Sequence, residues 1–293
     1  MKRKFKIAPF ATVVLLLLIV YTLILIVPLV WGVNISFKTQ LDALQNPFKL
    51  PKPFSPANYV TVFNEFKVEI EGANFVKTTY YMENMIWFTF VYAVGCSFVN
   101  IAVVCLVAYI TARYDFKICR IVDAIVIVTM ILPIVGSMPS ELRIMKALGL
   151  YDSLWGMMLM KANFLGGTTF LIFNVNFRSL PKDFAEAASL DGASNLAIMT
   201  KVMLPLAKTI FLTLWLLSFI QFWNDYQTPL LYFPSRPTLS YGLFLFTQAT
   251  GQKVKALPVK LAACYMLMIP ILVVFVVFQK KLIGNVSMGG LKE

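Results

Sequence analysis

The chain has 293 residues, of which 59% are hydrophobic and 14% are charged, and its formal net charge is +12. Soluble domains are about a quarter charged, so this composition excludes an ordinary soluble protein and indicates a membrane protein. Histidine is absent, which removes the commonest general base and metal ligand. We attribute the excess of lysine and arginine to the positive-inside rule of membrane proteins, not to nucleic-acid binding.

Stretches without charged side chains divide the chain into candidate membrane spans, because a helix needs about 20 apolar residues to cross a bilayer. Two spans are less clean, since the fourth carries Lys161 and the fifth carries Asp225. The sequence therefore predicts an all-α membrane protein with six transmembrane helices. In chain order, they are expected at about 9–33, 84–112, 121–138, 153–177, 207–230 and 257–279.

The basic residues predict how these spans are oriented. Six spans place both termini on one side, and basic residues close to span ends are more numerous on that side. We therefore expect an N-in, C-in topology, with residues 1–8 as a cytoplasmic N-terminus, 9–280 as a six-helix transmembrane domain and 281–293 as a cytoplasmic tail. The first apolar segment is too long for a signal peptide and is predicted to be a retained span.

Prolines and glycines mark irregular points along the chain. Four prolines between residues 47 and 56 favour an extended start to the long outer loop at about 34–82. Pro133 predicts a kink in the third helix, which is either structural or a hinge. Gly166 and Gly167 in the fourth helix favour close packing against neighbouring helices.

The fifth helix carries polar residues that favour a role in solute passage. Gln221 and Asp225 lie four residues apart and therefore share one helix face. Because an ionisable residue inside a span usually faces a cavity or a partner, this face is a candidate solute pathway together with Trp223 and Asn224. Alternatively, Asp225 lies at the interface, where it reaches water or pairs with Arg236.

The longest polar run in the second half of the chain, residues 178–208, lies between the fourth and fifth spans. Asp183 and Glu186 stand at the spacing of a capping box, which predicts a helix over about 184–190 with Asp183 as its N-cap. On this interpretation Glu186 caps the start of the helix.

Beyond this short helix, Gly192 directly follows Asp191 and predicts the helix stop. A second helical segment is expected from Ser194 or Asn195 to Pro205. The first helix is thin, so that another protein can approach its backbone closely. Its small side chains are those of Ala185, Ala187 and Ala188.

The spacing of these residues resembles the EAA loop of the permeases of ABC importers. Val202 stands where that family usually has isoleucine, and the stretch from Leu190 to Ser194 is similar to the carbohydrate-importer version. The resemblance implies a cytoplasmic coupling-helix loop between helices 4 and 5 that docks in a groove of an ATPase. The residues that it assigns to this loop are Asp183, Glu186, Ala187, Ala188, Asp191, Gly192, Leu204 and Pro205.

Further segments extend the resemblance over about residues 84–293. The C-terminal tail resembles the glycine-containing end of the shorter permease in maltose-type importers, with Glu293 where glycine is usual. In that family the tail reaches the ATPase, so the resemblance implies contacts from Gly289, Gly290 and Lys292.

The resemblance implies one permease subunit of an ATP-driven importer for a sugar or oligosaccharide, in the inner membrane of a prokaryote. Its implied partners are a second, related permease, ATPase subunits and an extracytoplasmic solute-binding protein. The outer loop is either a solvated cap or part of a docking surface for that binding protein. The chain has no P-loop, so the ATPase would use the ATP and magnesium, and no cofactor is expected in this chain.

Other functions stay open at this point. The same machine would serve another solute, such as a glycerol phosphate or a peptide, and a six-span secondary carrier would work without ATP. A membrane enzyme is disfavoured, because Ser-His-Asp and Cys-His catalysis need histidine. The four cysteines contain no C-x-x-C motif, and no metal site is expected.

Overall fold

The computed structural model describes four stretches of the chain: residues 9–71, 77–132, 136–163 and 165–286. Contacts divide the chain into two units, one drawn from Met1–Lys67 and Leu245–Ile269, the other from Val68–Phe244 and Pro270–Glu293. Two paired strands are β1 (Lys67–Glu71) and β2 (Lys77–Tyr81). The α-helices are α1 (Pro9–Ser36), α2 (Gln40–Gln45), α3 (Ala57–Glu65), α4 (Met82–Arg113), α5 (Lys117–Ile131), α6 (Met138–Ala147), α7 (Leu154–Lys161), α8 (Gly167–Ser179), α9 (Asp183–Leu190), α10 (Asn195–Ala197), α11 (Leu204–Leu206), α12 (Lys208–Asn224), α13 (Gln227–Tyr232), α14 (Leu239–Gln248) and α15 (Leu257–Val286).

In the first unit, α1 is apolar on every face, as expected of a helix that lies in lipid. Its span Phe10–Ser36 has a mean hydropathy of 3.2. The following loop is more regular than its prolines predict, because it folds into α2 and α3. Thr39 caps α2 by accepting a hydrogen bond from the backbone N–H of Asp42, and the buried Lys38 donates to the carbonyl of Asn46 at 2.7 Å.

In the second unit, α4 is the central helix and packs against α7, α8 and α12. One apolar cluster joins its buried residues to those of α8, including Phe173 and Phe177. Tyr109 of α4 meets Phe177 edge to face, with ring centroids 5.3 Å apart. The buried Asn174 donates to the hydroxyl of Thr111 at 2.8 Å, so this polar group inside the cluster is satisfied.

Three helices within the described residues are long and apolar enough to cross a membrane: Phe10–Ser36, Met82–Arg113 and Leu257–Gln279. They confirm the first, second and sixth predicted spans as long apolar helices. A fourth results if the bent pair Asn195–Leu206 and Lys208–Asn224, at 77° to each other, is counted as one span. The count of six spans stays a prediction.

The third and fifth predicted helices are shorter than expected. The third ends at Ile131 instead of 138, and the predicted kink at Pro133 lies outside the described residues. The fifth ends at Asn224 instead of 230, because Asp225 has an extended backbone with φ −72° and ψ 110°. The Asp225 side chain accepts a hydrogen bond from the N–H of Thr228 at 3.0 Å, which favours a turn over continued helix.

The fourth predicted helix is wrong as a continuous element, since α7 ends at Lys161 and α8 begins at Gly167. A side chain at Gly166 would lie 3.2 Å from Val104 of α4, and one at Gly167 would lie 2.9 Å from Met130 of α5. The two glycines therefore allow α8 to pack closely against both helices, as predicted from their small size.

Candidate functional site

Residues 178–208, here called the coupling segment, begin in the last turn of α8 and contain α9, α10 and α11. α9 ends at Leu190 with Asp191 as its C-cap, and the next residue, Gly192, has a φ of +82° that glycine adopts without strain. Two hydrogen bonds close the helix end at 3.0 Å, from the N–H of Gly192 to Ser189 and from the N–H of Ala193 to Ala188. This Schellman geometry confirms the predicted helix stop.

The start of α9 differs from the prediction. Asp183 is the first helical residue and not the N-cap, and no side chain caps this end. The reason lies in the backbone of Lys182, which is already helical at φ −68° and ψ −27°, so that its carbonyl accepts from the N–H of Glu186 at 3.0 Å. The carboxylates of Asp183 and Glu186 lie instead in the first turn, where the helix dipole stabilises negative charge.

The inner side of α9 packs on the chain's own core. Ala185 and Ala188, three residues apart and hence on one helix face, lie against the buried cluster that contains Phe173 and Phe177. The small side chains expected to admit another protein therefore bring α9 close to its own chain. Ala187 is exposed.

The second half of the coupling segment is a helical run that begins as predicted. Ser194 caps it by accepting a hydrogen bond from the N–H of Ala197 at 3.3 Å. The run widens into a π-helical turn over Ile198–Met203, a geometry that is frequent at functional sites. Leu204 and Pro205 belong to the closing turn, after which the chain bends by 77° into α12.

The other side of the coupling segment exposes large apolar side chains beside carboxylates. Leu190 is 89% exposed, Leu196 68% and Phe184 50%. Asp183 and Asp191 are also exposed, and neither forms an ion pair with another described residue. We call these five residues the outward face. Exposed apolar groups beside unpaired charges are typical of a surface that another protein covers.

Glu186 lines a cleft of about 610 Å³ between the ends of α4 and α8 and the coupling segment. Arg113, Arg178 and Lys182 line the same cleft. Arg178 is already paired with Asp123 of α5 at 2.9 Å. The carboxylate of Glu186 forms no ion pair within the part of the chain that the structure describes, so it can receive a cation from another protein.

A second cavity, of about 480 Å³, lies where α7 and α12 end; we call it the polar cavity. Asp225 on its wall accepts a hydrogen bond from the hydroxyl of Tyr92 at 2.9 Å. Lys161 Nζ lies 3.9 Å from Asp225 Oδ2 and donates to the hydroxyl of Thr228 at 3.2 Å. Asp225 is therefore paired with Lys161, and not with Arg236 as the alternative interpretation expected.

The polar cavity brings together three of the four residues expected on the solute pathway: Gln221, Asn224 and Asp225. Trp223 is 8% exposed and packs instead on Phe219, with ring centroids 5.6 Å apart. Lys161 also lines this cavity and was not among the predicted residues, although a charge inside a predicted span is a signal for a site of this kind. Tyr92 carried no signal, because aromatic residues are common in membrane spans.

The predicted tail contacts of Gly289, Gly290 and Lys292 fall outside the described residues. Within the described ranges, no group of three or more cysteine, aspartate or glutamate residues is arranged to hold a metal ion.

Residues 104–287 match the family described as binding-protein-dependent transport system inner membrane component. The diacetylchitobiose uptake system permease protein NgcG of Streptomyces coelicolor is 27% identical over 283 residues, which cover 96% of this chain and 88% of that protein. The melibiose/raffinose/stachyose import permease protein MelC of Bacillus subtilis is 31% identical over 190 residues, which cover 64% of this chain and 68% of that protein.

A crystal structure of a bacterial ABC transporter involved in the import of the acidic polysaccharide alginate contains a chain with the same fold. It superposes with a TM-score of 0.75 at 23% identity, over 92% of this chain and 95% of that chain. The family match covers more than half of the present sequence. The chain therefore belongs to the inner membrane components of binding-protein-dependent transport systems, the non-catalytic permease subunits of ABC importers.

Proposed function

We propose that this chain is one of two related permeases in an importer that carries a sugar or oligosaccharide across a prokaryotic inner membrane. The uptake and import permeases that it resembles are named for oligosaccharides, which favours this cargo over a glycerol phosphate or a peptide. The other partners are ATPase subunits, which use the ATP and magnesium, and an extracytoplasmic solute-binding protein. Membership of a binding-protein-dependent family disfavours the secondary carrier and the membrane enzyme.

The observation that carries this proposal is the two-sided coupling segment. Its inner side is packed on the core, while its outward face leaves Leu190 and Leu196 exposed beside unpaired carboxylates. Such a segment fits a groove with an apolar floor and basic rims on an ATPase. Burial of one leucine there contributes about 1.5–3 kcal/mol, and a charge-assisted hydrogen bond that the carboxylate of Glu186 accepts from a basic residue of the ATPase contributes roughly 1.5–3 kcal/mol.

The packing suggests how ATP-driven closure of the ATPase reaches the solute. Ala188 and Ile198 of the coupling segment lie on the same cluster as Phe173 of α8. Because a packed core resists compression, displacement of the segment moves α8 with it. In the mechanism we propose, this motion opens the polar cavity alternately to the two sides of the membrane. When it is open to the outside, the cavity receives solute from the binding protein.

The proposed topology has six spans with both termini in the cytoplasm, so that the coupling segment faces the ATPase. The end of α4 at Arg113 shares its cleft with Arg178 and Lys182. This concentration of basic residues suits the cytoplasmic side. Within this topology, Gly289 and Gly290 belong to a cytoplasmic tail that contacts the ATPase.

Co-purification tests the docking role of the coupling segment, with Gly192→Val as the perturbation. A non-glycine residue at this φ of +82° costs roughly 1–2 kcal/mol, and no atom lies within 4 Å of the added Cβ. The matched control is Gly149→Val between α6 and α7, where φ is +67° and the space is equally open. The two variants therefore share their backbone strain and differ in location.

We expect the wild type and Gly149→Val to retain both the second permease and the ATPase on gentle extraction. Gly192→Val should retain the second permease and lose the ATPase. Docking through this segment is contradicted if Gly192→Val retains the ATPase, or if both variants lose it equally.

A further inference from the structure

We infer that the polar cavity contacts an uncharged part of the solute, and that the pair of Lys161 and Asp225 selects a neutral over an acidic saccharide. The inference rests on the proposed function and adds the charge of the cargo. Family membership leaves that charge open. The relatives include an importer named for the neutral melibiose, raffinose and stachyose, whereas the transporter of the same fold imports an acidic polysaccharide.

The polar cavity lies at a depth where charge is costly. α4 has 32 residues and is therefore about 48 Å long, against about 30 Å for the hydrocarbon core of a bilayer. Tyr92 stands ten residues after Met82, about 15 Å along the helix. With α4 centred in the bilayer, the backbone of Tyr92 lies about 6 Å inside the edge of the hydrocarbon core, and the hydroxyl of Tyr92 holds the carboxylate of Asp225 near that edge. An unpaired charge at this depth is strongly disfavoured.

The charges on the cavity wall cancel. Lys161 and Asp225 are the ionisable residues of opposite sign that line it, 3.9 Å apart, with side chains 21% and 18% exposed. A carboxylate that enters the cavity meets the charge of Asp225 together with that of Lys161, so it gains no net attraction for its lost hydration. A hydroxyl group loses far less on desolvation. The cavity therefore favours an uncharged solute.

The hydrogen-bonding capacity of the pair is unequal. Each oxygen of Asp225 already accepts one hydrogen bond, Oδ2 from the hydroxyl of Tyr92 and Oδ1 from the N–H of Thr228. The ammonium of Lys161 has three N–H donors, of which one reaches Thr228 at 3.2 Å. Lys161 therefore keeps donors for a solute oxygen, while Asp225 neutralises its charge.

The rest of the wall has the chemistry of a saccharide site. Gln221, Asn224 and Gln227 add amide groups that both donate and accept, as sugar hydroxyls do. Tyr226, which is 40% exposed, adds an aromatic ring that offers a flat apolar surface to the C–H face of a sugar. None of these groups supplies a positive charge for an acid.

Equilibrium binding to the assembled permeases and ATPase in lipid nanodiscs tests the inference without the solute-binding protein. The probes are the neutral disaccharides galactobiose and cellobiose and their uronic acid counterparts, and the readout is the ratio of the two dissociation constants within each pair. A purely structural ion pair would change stability but leave this ratio unmoved. Failure of the proposed function would appear separately, as loss of ATPase co-purification.

We expect the wild type to bind at least one neutral disaccharide at least tenfold more tightly than its uronate. Asp225→Asn leaves the charge of Lys161 without its partner and should shift the ratio at least tenfold towards the uronate. The matched control is Glu141→Gln, because Glu141 accepts a hydrogen bond from the hydroxyl of Tyr232 at 3.1 Å but does not line the cavity. This control should keep the wild-type ratio.

A double variant covers the case in which Asp225→Asn does not fold. Lys161→Gln with Asp225→Asn removes both charges and the ammonium donors of Lys161. The variant should therefore bind the neutral disaccharide more weakly than the wild type does, but it should still prefer the neutral disaccharide over its uronate. The inference is overturned if the wild type binds the uronate as tightly as the neutral sugar, or if no saccharide binds. An unchanged ratio in a folded Asp225→Asn variant, or a lost preference in the double variant, also overturns it.

Discussion

Leu190→Ala separates docking of the coupling segment from its folding. The side chain is 89% exposed, so its truncation should change the free energy of unfolding of the chain by no more than about 0.5 kcal/mol. Leucine exceeds alanine by three carbons, each worth about 0.8 kcal/mol on burial. If the groove covers Leu190 completely, the truncation removes about 2 kcal/mol of binding free energy after scaling by the exposed fraction. This loss weakens the affinity for the ATPase about 30-fold.

The assay is a titration of the purified ATPase onto the two permeases in nanodiscs without nucleotide. Leu148→Ala is the control, since Leu148 is 65% exposed in the turn after α6 and lies away from the coupling segment. Its affinity for the ATPase should equal that of the wild type. If Leu190→Ala also binds like the wild type, the outward face is not the docking surface. An equal loss of affinity in both variants would indicate that the substitutions destabilise the protein in general.

Two further predictions concern stability. Gly156→Ala should lower the free energy of unfolding by about 1–3 kcal/mol, because its Cβ would lie 1.9 Å from the backbone oxygen of Leu150; thermal unfolding against the uncrowded Gly251→Ala checks this. In the first unit, the hydrogen bond and charge of Lys253 lower the pKa of Glu65 below its ordinary value of 4.5. This stabilisation is present above that value and is lost as pH falls through the lowered pKa, so the wild type should lose its advantage in melting temperature over Glu65→Gln in acid.

Local spacing was sufficient to predict much of the coupling segment. Gly192 ends its helix as expected because a helix stop depends on one residue in the left-handed region and on hydrogen bonds within the same turn. The N-cap was misplaced by one residue, from Lys182 to Asp183. The aspartate side chain is the better N-cap, but the helix starts one residue earlier because the backbone of Lys182 is already helical, which a sequence pattern does not specify.

The polar cavity could be predicted only in part, because its partners are far apart in the chain. Tyr92 and Asp225 are separated by 133 residues, and Lys161 reaches Thr228 across 67. Helical periodicity relates neighbours within one element, so it could place Gln221 beside Asp225 but could not pair either with another helix. The break before α8 was missed for the same reason, since it depends on packing against α4 and α5.

α8 is linked to both sites, because it leads into the coupling segment and packs on α4, whose Tyr92 donates a hydrogen bond to Asp225 at 2.9 Å. One end leads into the coupling segment, and the other begins at Gly167, past the break that follows Lys161. The ion pair of Arg178 with Asp123 ties the same helix to α5. Because α8 shares a packed cluster with the coupling segment but is separated from α7 by the break, it can move without carrying Lys161 along. We therefore expect force on the coupling segment to appear in the polar cavity as a change in the 3.9 Å separation of Lys161 from Asp225.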